Sequence, residues 1–286
     1  MSRAVARFVS GALLGFAILG CVVPARHAAA QAPGLGASVE LVDPKTLRVC
    51  ADPRNLPFSD EKGAGFENRI ASLIAAKLDR PVAYTYYPQV IGFVRNTLNA
   101  FKCDVVIGDA QGDDLVQTTN PYYRTSYALV YRKGQGLDGI ESVEDPRLQG
   151  RHVGVVAGTP PSNLLVRNNL MGLARPYPLT VDTRYDSPSK TMIDDLAAGT
   201  IDAALVWGPI GGFYARQAGH DLVVVPLTHE QGVRLDFRIS MGVRHSDQEW
   251  KRTLNRLISE NQDEINHILE DYGVPIVDEQ GHPITP

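Results

Sequence analysis

From residue 47 onward the chain alternates between short apolar runs and apolar stripes at helical spacing. Residues 47–51 (LRVCA) read as a strand, and Phe66, Ile70, Leu73, Ile74 and Leu78 recur on one helical face. The loop between them, 52–65, carries Pro53, Pro57, Gly63 and Gly65. Residues 82–87 alternate and are aromatic, which predicts a second strand. Phe93, Val94, Leu98 and Phe101 mark a second helix, and the continuous run 104–108 (DVVIG) a third strand. Strand, helix, strand, helix, strand is the order of a parallel α/β unit.

The same order then repeats. Residues 152–157 (HVGVVA) form a strand, with a Gly-Thr-Pro-Pro turn behind it and a helix beginning around Leu164, Leu165 and Val166. The apolar alternation of 179–185 predicts the second strand of this series. Met192, Ile193 and Leu196 mark a helix stopped at Gly199, and 201–206 is the third strand. Leu98-x-Ala100-x-x-x-Asp104 is matched by Leu196-x-Ala198-x-x-x-Asp202, which argues for two similar lobes. Residues 127–131 (YALVY) are a strand between the lobes, and 222–225 and 237–243 are strands after the second. The last element is a long helix with Trp250, Leu254, Leu257, Ile258, Ile265, Ile268 and Leu269 in one stripe. Ser246-Asp247-Gln248-Glu249 predicts a capping box at its start, and Gly273 its stop. A chain that builds one lobe, crosses to another and returns with a helix makes a two-lobed clamp. The cleft between lobes is the default ligand site.

Composition adds little to this picture except at the N-terminus. The 286 residues are 44% hydrophobic and 21% charged, an ordinary globular balance. Arg3 and Arg7 precede an almost uncharged run, 8–23, and Ala28-Ala29-Ala30 offers a cleavage site, so residues 1–30 are expected to be a secretory signal peptide. The run is shorter than the roughly 20 apolar residues of a membrane span, and no transmembrane segment is expected in the mature chain. Leu19-Gly20-Cys21 resembles a lipoprotein site, but the Ala-rich site fits better. Removing 1–30 takes away three arginines and no acid, moving the formal net charge from −4 to −7. No basic stripe survives, which excludes nucleic acid as an expected partner. Cys50 and Cys103 remain as an even pair in an oxidising compartment, in no zinc or redox spacing.

The order of segments over residues 46–274 resembles the type II periplasmic substrate-binding proteins. Residues 148–159 (LQGRHVGVVAGT) are similar to the opening of that superfamily's second lobe, and Asn120-Pro121-Tyr122-Tyr123 to its approach to the hinge. More narrowly, the chain resembles the MxaJ/XoxJ-type proteins encoded beside quinoprotein methanol dehydrogenases. LRVCADPRNLPF (47–58), GFENRI (65–70), GFVRNTL (92–98), CDVVIG (103–108), LVQTTNPYYR (115–124) and LVWGP (205–209) carry this likeness, which leans to the XoxJ branch that accompanies lanthanide-dependent enzymes. The resemblance implies an α/β, two-lobed type II periplasmic binding-protein fold with a central cleft. Its divisions would be a first lobe at 46–128, a second lobe with hinge crossings at 129–236, a return with the C-terminal helix at 237–275 and a tail at 276–286. In this fold the strands next to Cys50 and Cys103 are neighbours, so a disulfide between them is expected.

Amino-acid receptors of the superfamily usually set an Arg after the third strand of lobe one, against the ligand carboxylate, and an Asp after the third strand of lobe two. Here the first loop reads GDAQGDD (108–114), with no Arg, and Trp207 stands near the expected Asp. Both changes speak against a free amino acid as ligand. The expected cleft residues are Arg54, Asn55, Phe58, Tyr87, Asp109, Gln111, Tyr122, Tyr123, Thr159 and Trp207. About half of the aromatics are expected to pack in the core instead. Arg54 and Trp207 lead the set, since arginine and large aromatics dominate protein interfaces. Asp109, Gln111 and Asp113 alternate, but no Glu closes a calcium loop. His152, His220, His229, His245, His267 and His282 have no ligand spacing, so no metal site is expected.

No nucleophile elbow or phosphate loop is present, and no catalytic residues or cofactors are expected. A few proteins of this fold are dehydratases that use a cleft carboxylate, a role Glu67 or Asp109 could serve here. The leading expectation is a non-enzymatic accessory protein in the maturation or activation of a periplasmic, pyrroloquinoline-quinone (PQQ)-dependent methanol dehydrogenase, whose large subunit it would bind through the cleft. The alternative is a solute receptor of an ABC transporter for a small polar ligand other than a free amino acid.

Overall fold

The computed structural model describes residues 40–182, 185–219 and 221–284. The expected signal peptide, the leader at 31–37 and His220 lie outside the described residues.

The first series forms β1 (Leu47–Ala51), the small hairpin β2 (Arg54–Asn55) and β3 (Ser59–Asp60), α1 (Phe66–Leu78), β4 (Val82–Tyr86), α2 (Phe93–Asn96), β5 (Val105–Ala110) and β6 (Gln117–Thr118). The strand β7 (Tyr123–Arg132) leads into the second series: β8 (Val153–Val156), α3 (Pro161–Arg167), β9 (Arg175–Tyr177), α4 (Pro188–Ala198), β10 (Ala203–Trp207), α5 (Gly208–Ala218) and β11 (Leu222–Pro226). The chain returns through β12 (Asp236–Val243) and ends on α6 (Gln248–Glu260) and α7 (Gln262–Asp271).

β1 pairs in parallel with β4 and β5, and β8 pairs in parallel with β9 and β10. Strand β7 belongs to both lobes. Its first residues pair antiparallel with β12, from Asp236↔Ser126 to Ile239↔Tyr123. Its later residues pair with β10, from Trp207↔Tyr127 to Ala203↔Tyr131. β7 and the connection from β11 to β12 are therefore the two crossings, and the Leu227 N–H to Tyr127 carbonyl bond ties them together. In lobe one, Leu47, Val49, Val105 and Ile107 pack under Phe66, Ile70 and Ile74 of α1 and under Trp250 and Leu254 of α6. In lobe two, Leu129, Val153, Val155 and Leu205 pack under Leu164 and Leu165 on one face of the sheet. Met192, Ile193 and Leu196 cover the other. The repeated runs are buried on both faces, which is why they read as continuous rather than alternating. Cys50 and Cys103 form a disulfide with Cα atoms 5.4 Å apart, joining β1 to the turn that enters β5.

Four expectations change. The strand expected at 179–185 lies earlier, at β9, and Leu179 and Tyr185 are 58% and 77% exposed. The strand makes its last ladder bond at Tyr177, whose carbonyl accepts from the Ala157 N–H at 2.9 Å, and the chain then leaves the sheet. The second helix is a single turn, and Leu98 is buried from the irregular segment behind it. The C-terminal helix is two helices that break at Asn261, whose amide bonds back to the Leu257 carbonyl at 2.7 Å. The capping box does not form. Ser246 donates instead to Asp247, and the Glu40 carboxylate accepts from the Glu249 and Trp250 N–H groups at the start of α6.

Candidate functional site

The two lobes face each other across a cleft of about 460 Å³. The lobe-one wall is the loop that follows β1, with Pro53, Arg54 and Asn55, and the charged turn of Asp60, Glu61 and Lys62. Asp52 shapes this loop. It is buried, and its carboxylate accepts from the Arg54 N–H at 2.8 Å and the Gln89 N–H at 2.6 Å. The lobe-two wall is built from Leu179, Ser187 and Ser189, with Ile210 and Tyr214 of α5. A smaller recess of about 160 Å³ opens from it and shares Leu179, Pro188 and Ser189. Tyr127, Val156, Thr159 and Trp207 line this recess. The Trp207 ring meets Tyr127 and Phe237 edge-on, at 5.1 and 5.6 Å between centroids. Trp207 ends β10 and Tyr127 faces it across the pairing with β7, so the recess sits directly on the hinge.

The structure brings Arg54 and Asn55 to one wall and Thr159 and Trp207 to the recess. Asn55 donates to the Gln89 side chain at 3.0 Å, and the Thr159 hydroxyl donates to the Val156 carbonyl at 2.6 Å. The remaining expected residues are placed elsewhere. Tyr122 and Tyr123 are only 2% and 6% exposed, in the lobe-one core around Phe66, and the Tyr122 hydroxyl donates to the Ile107 carbonyl at 3.0 Å. Phe58 is half-buried against Phe66 with ring centroids 5.3 Å apart. Tyr87 packs over the disulfide and accepts from the Asn96 amide at 3.3 Å. These four are supports under loops, because an aromatic ring beside a strand end gains more by packing than by facing water. Gln111 reaches the Thr119 carbonyl at 3.4 Å, and Asp109 is the next-to-last residue of β5; neither lines the cleft volume.

A carboxyl pair lies beneath the lobe-one loops. Glu67, in the first turn of α1, is 8% exposed and fills the space left by the absent side chain of Gly108. A methyl there would stand 2.0 Å from its Oε1. Burial, followed by the nearby Asp109 and Asp52 carboxylates, pushes Glu67 up to about 8. Burial and Asp113 push Asp109 up to about 6, and its Oδ2 is buried without a hydrogen-bond partner. In the sequence Glu67 stands out only as a possible enzymatic acid. Leu179, Ile210 and Tyr214 give no sign there of being cleft walls, because apolar residues that face an open cleft carry the same pattern as core residues. Among the described residues no group of three or more His, Cys, Asp or Glu is arranged to hold a metal ion. Among them, too, no helix is long and apolar enough to cross a membrane.

Residues 47–275 match the family described as bacterial extracellular solute-binding proteins, family 3. The chain is 31% identical over 277 residues to the protein MoxJ of Methylorubrum extorquens, covering 91% of each chain. It is 28% identical over 256 residues to MoxJ of Paracoccus denitrificans, covering 84% of this chain and 92% of that one. Among solved structures it resembles the periplasmic binding protein XoxJ from Methylobacterium extorquens, at 43% identity and a TM-score of 0.70, over 82% of this chain and 100% of that chain.

Proposed function

The chain belongs to the family-3 bacterial extracellular solute-binding proteins, in the group that includes MoxJ and XoxJ, and from that premise we propose that it is a non-enzymatic periplasmic accessory protein of a PQQ-dependent methanol dehydrogenase. The likeness to XoxJ supports the lanthanide-dependent branch. On this reading the cleft receives a segment of the dehydrogenase large subunit during its maturation or activation.

The observation that carries the reading is the chemistry of the cleft. The lobe-one wall presents Arg54 and Asn55, and the lobe-two recess presents Trp207 and Tyr127 among Val156, Leu205 and Val206. Large apolar side chains stand exposed beside both walls: Val90 and Ile91 follow Gln89, the partner of Asn55, and Leu179 and Tyr185 flank lobe two. A recess with an aromatic anchor and an apolar rim suits an extended protein segment, where truncating one such anchor costs about 2 kcal/mol or more. The test is to delete the gene, complement it with the wild type or with Trp207→Ala, and measure dehydrogenase activity in periplasmic extracts. Loss of activity on deletion, and partial loss with folded Trp207→Ala, are expected. Unchanged activity on deletion removes the accessory role.

Family membership itself favours a second reading, a solute receptor for a small polar ligand. Such a protein would close its lobes on a small molecule and gain thermal stability from it.

A further inference from the structure

The lobes are joined by more than the two crossings of the chain. Helix α5 of lobe two lies on residues 270–275 of lobe one. Gly212 approaches so closely that a Cβ there would stand 1.8 Å from the Gly273 carbonyl oxygen. A Cβ at Gly208 would stand 2.3 Å from the Ser126 carbonyl oxygen and 2.8 Å from the Pro275 ring. Phe213 stacks on Tyr272, with ring centroids 5.8 Å apart and planes at 15°. The Arg216 guanidinium donates to the Glu270 carbonyl. Past this contact the chain runs back over both crossings. On β7, Thr125 donates to the Pro275 carbonyl at 2.7 Å and Arg124 to the Glu279 carbonyl at 2.7 Å. On the other crossing, the Thr228 hydroxyl donates to the Gly281 carbonyl at 2.9 Å.

We propose that α5 and residues 270–281 form a clasp that holds the two lobes at a fixed angle, making the cleft a rigid cradle. Hinge closure turns lobe two about the crossings and must slide α5 over residues 270–275. Movement inward drives the Gly212 backbone into the Gly273 carbonyl. Movement outward unstacks Phe213 from Tyr272 and breaks the Arg216 bond. The tail lies across both crossings, so neither can twist without disturbing its hydrogen bonds. Close-packed contacts of this kind resist continuous deformation. The inference rests on the accessory reading for its purpose, since a cradle of fixed shape suits a protein segment rather than an enclosed solute. Its geometry stands without that reading.

The test is electron–electron double resonance on the mature protein, labelled at Asn99→Cys in lobe one and Asn163→Cys in lobe two with the native disulfide intact. Both positions are exposed. The expected result is one narrow distance for the otherwise wild-type protein. Phe213→Ala with Arg216→Ala should broaden the distribution and move it by several ångström, with circular dichroism unchanged. Gly212→Val should displace the lobes, and if that variant does not fold the double variant decides. Two separated distances in the wild type, or an unchanged distribution in the folded double variant, overturns the clasp. No dehydrogenase is present in this measurement. A mobile hinge therefore removes the clasp alone, whereas unchanged activity in the deletion strain removes the accessory role alone.

Discussion

Replacing Glu67 with a glutamine should flatten the dependence of stability on pH. Glu67 is 8% exposed and held at about 8, against the 4.5 of a solvated glutamate. Its first cause is burial, which disfavours the charged form, and the Asp109 and Asp52 carboxylates add to it. Between 4.5 and 8 the folded protein keeps this proton while the unfolded chain has lost it. The native state then binds more protons than the unfolded state, so stability falls as pH rises through this window. Below 4.5 both states hold the proton and the penalty vanishes; above 8 both have lost it and the penalty is constant. Each pKa unit corresponds to about 1.4 kcal/mol, so the cost at pH 7 is of order 3 kcal/mol. A glutamine side chain carries no charge in either state and removes the part of the slope that Glu67 contributes. Its amide still has to be buried, which costs about 1–3 kcal/mol if unbonded, at every pH alike. The slope is therefore the readout, not the level. Urea denaturation of wild type and Glu67→Gln at intervals from pH 5 to 8 gives the difference directly. The variant should gain on the wild type by about 3 kcal/mol across that range. Parallel curves would refute a proton held on Glu67.

Reduction of the Cys50–Cys103 bond, or Cys50→Ser with Cys103→Ser, removes a constraint across a sequence separation of 53 residues. It should cost about 4 kcal/mol by loop entropy, read as a lower denaturation midpoint, and alkylation of the unreduced mature protein should find no free thiol. Asp104 is 1% exposed and accepts from both Arg48 and Arg244 at 2.7 Å. Asp104→Asn leaves Arg244 with Asp247 alone, at 2.7 Å, and weakens the charge-assisted bonds from both arginines, which should cost about 2–3 kcal/mol in thermal or urea unfolding. Common L-amino acids should give no micromolar binding in calorimetry, since the loop after β5 carries no arginine and β10 ends on Trp207 rather than on an acid. A micromolar dissociation constant for any of them would put the solute-receptor reading first.

Regular elements with strong local signals were legible from the sequence. The double series of apolar strands and helical stripes predicted both lobes, because strands buried on both faces, such as residues 105–107, need apolar side chains at consecutive positions. Helix α1 matched its apolar stripe from Phe66 to Leu78. The position of Trp207 and Thr159 beside the recess was legible because they stand at or just past the ends of strands, where α/β folds place their loops. Long-range geometry decided the rest. Glu40 caps a helix 210 residues away, which the nearby Ser246 and Glu249 gave no reason to expect. Tyr122 and Tyr123 are core residues although a Pro and an Asn precede them, because the first part of β7 runs under Phe66 before it reaches the hinge. Leu179 looks like a strand residue in one dimension and is a cleft wall in three, since β9 makes its last ladder bond at Tyr177. The closeness of Gly212 to Gly273 is a property of how two lobes meet. Local patterning records whether a side chain prefers water or its own element, and it carries no record of which distant backbone stands 1.8 Å from a missing Cβ.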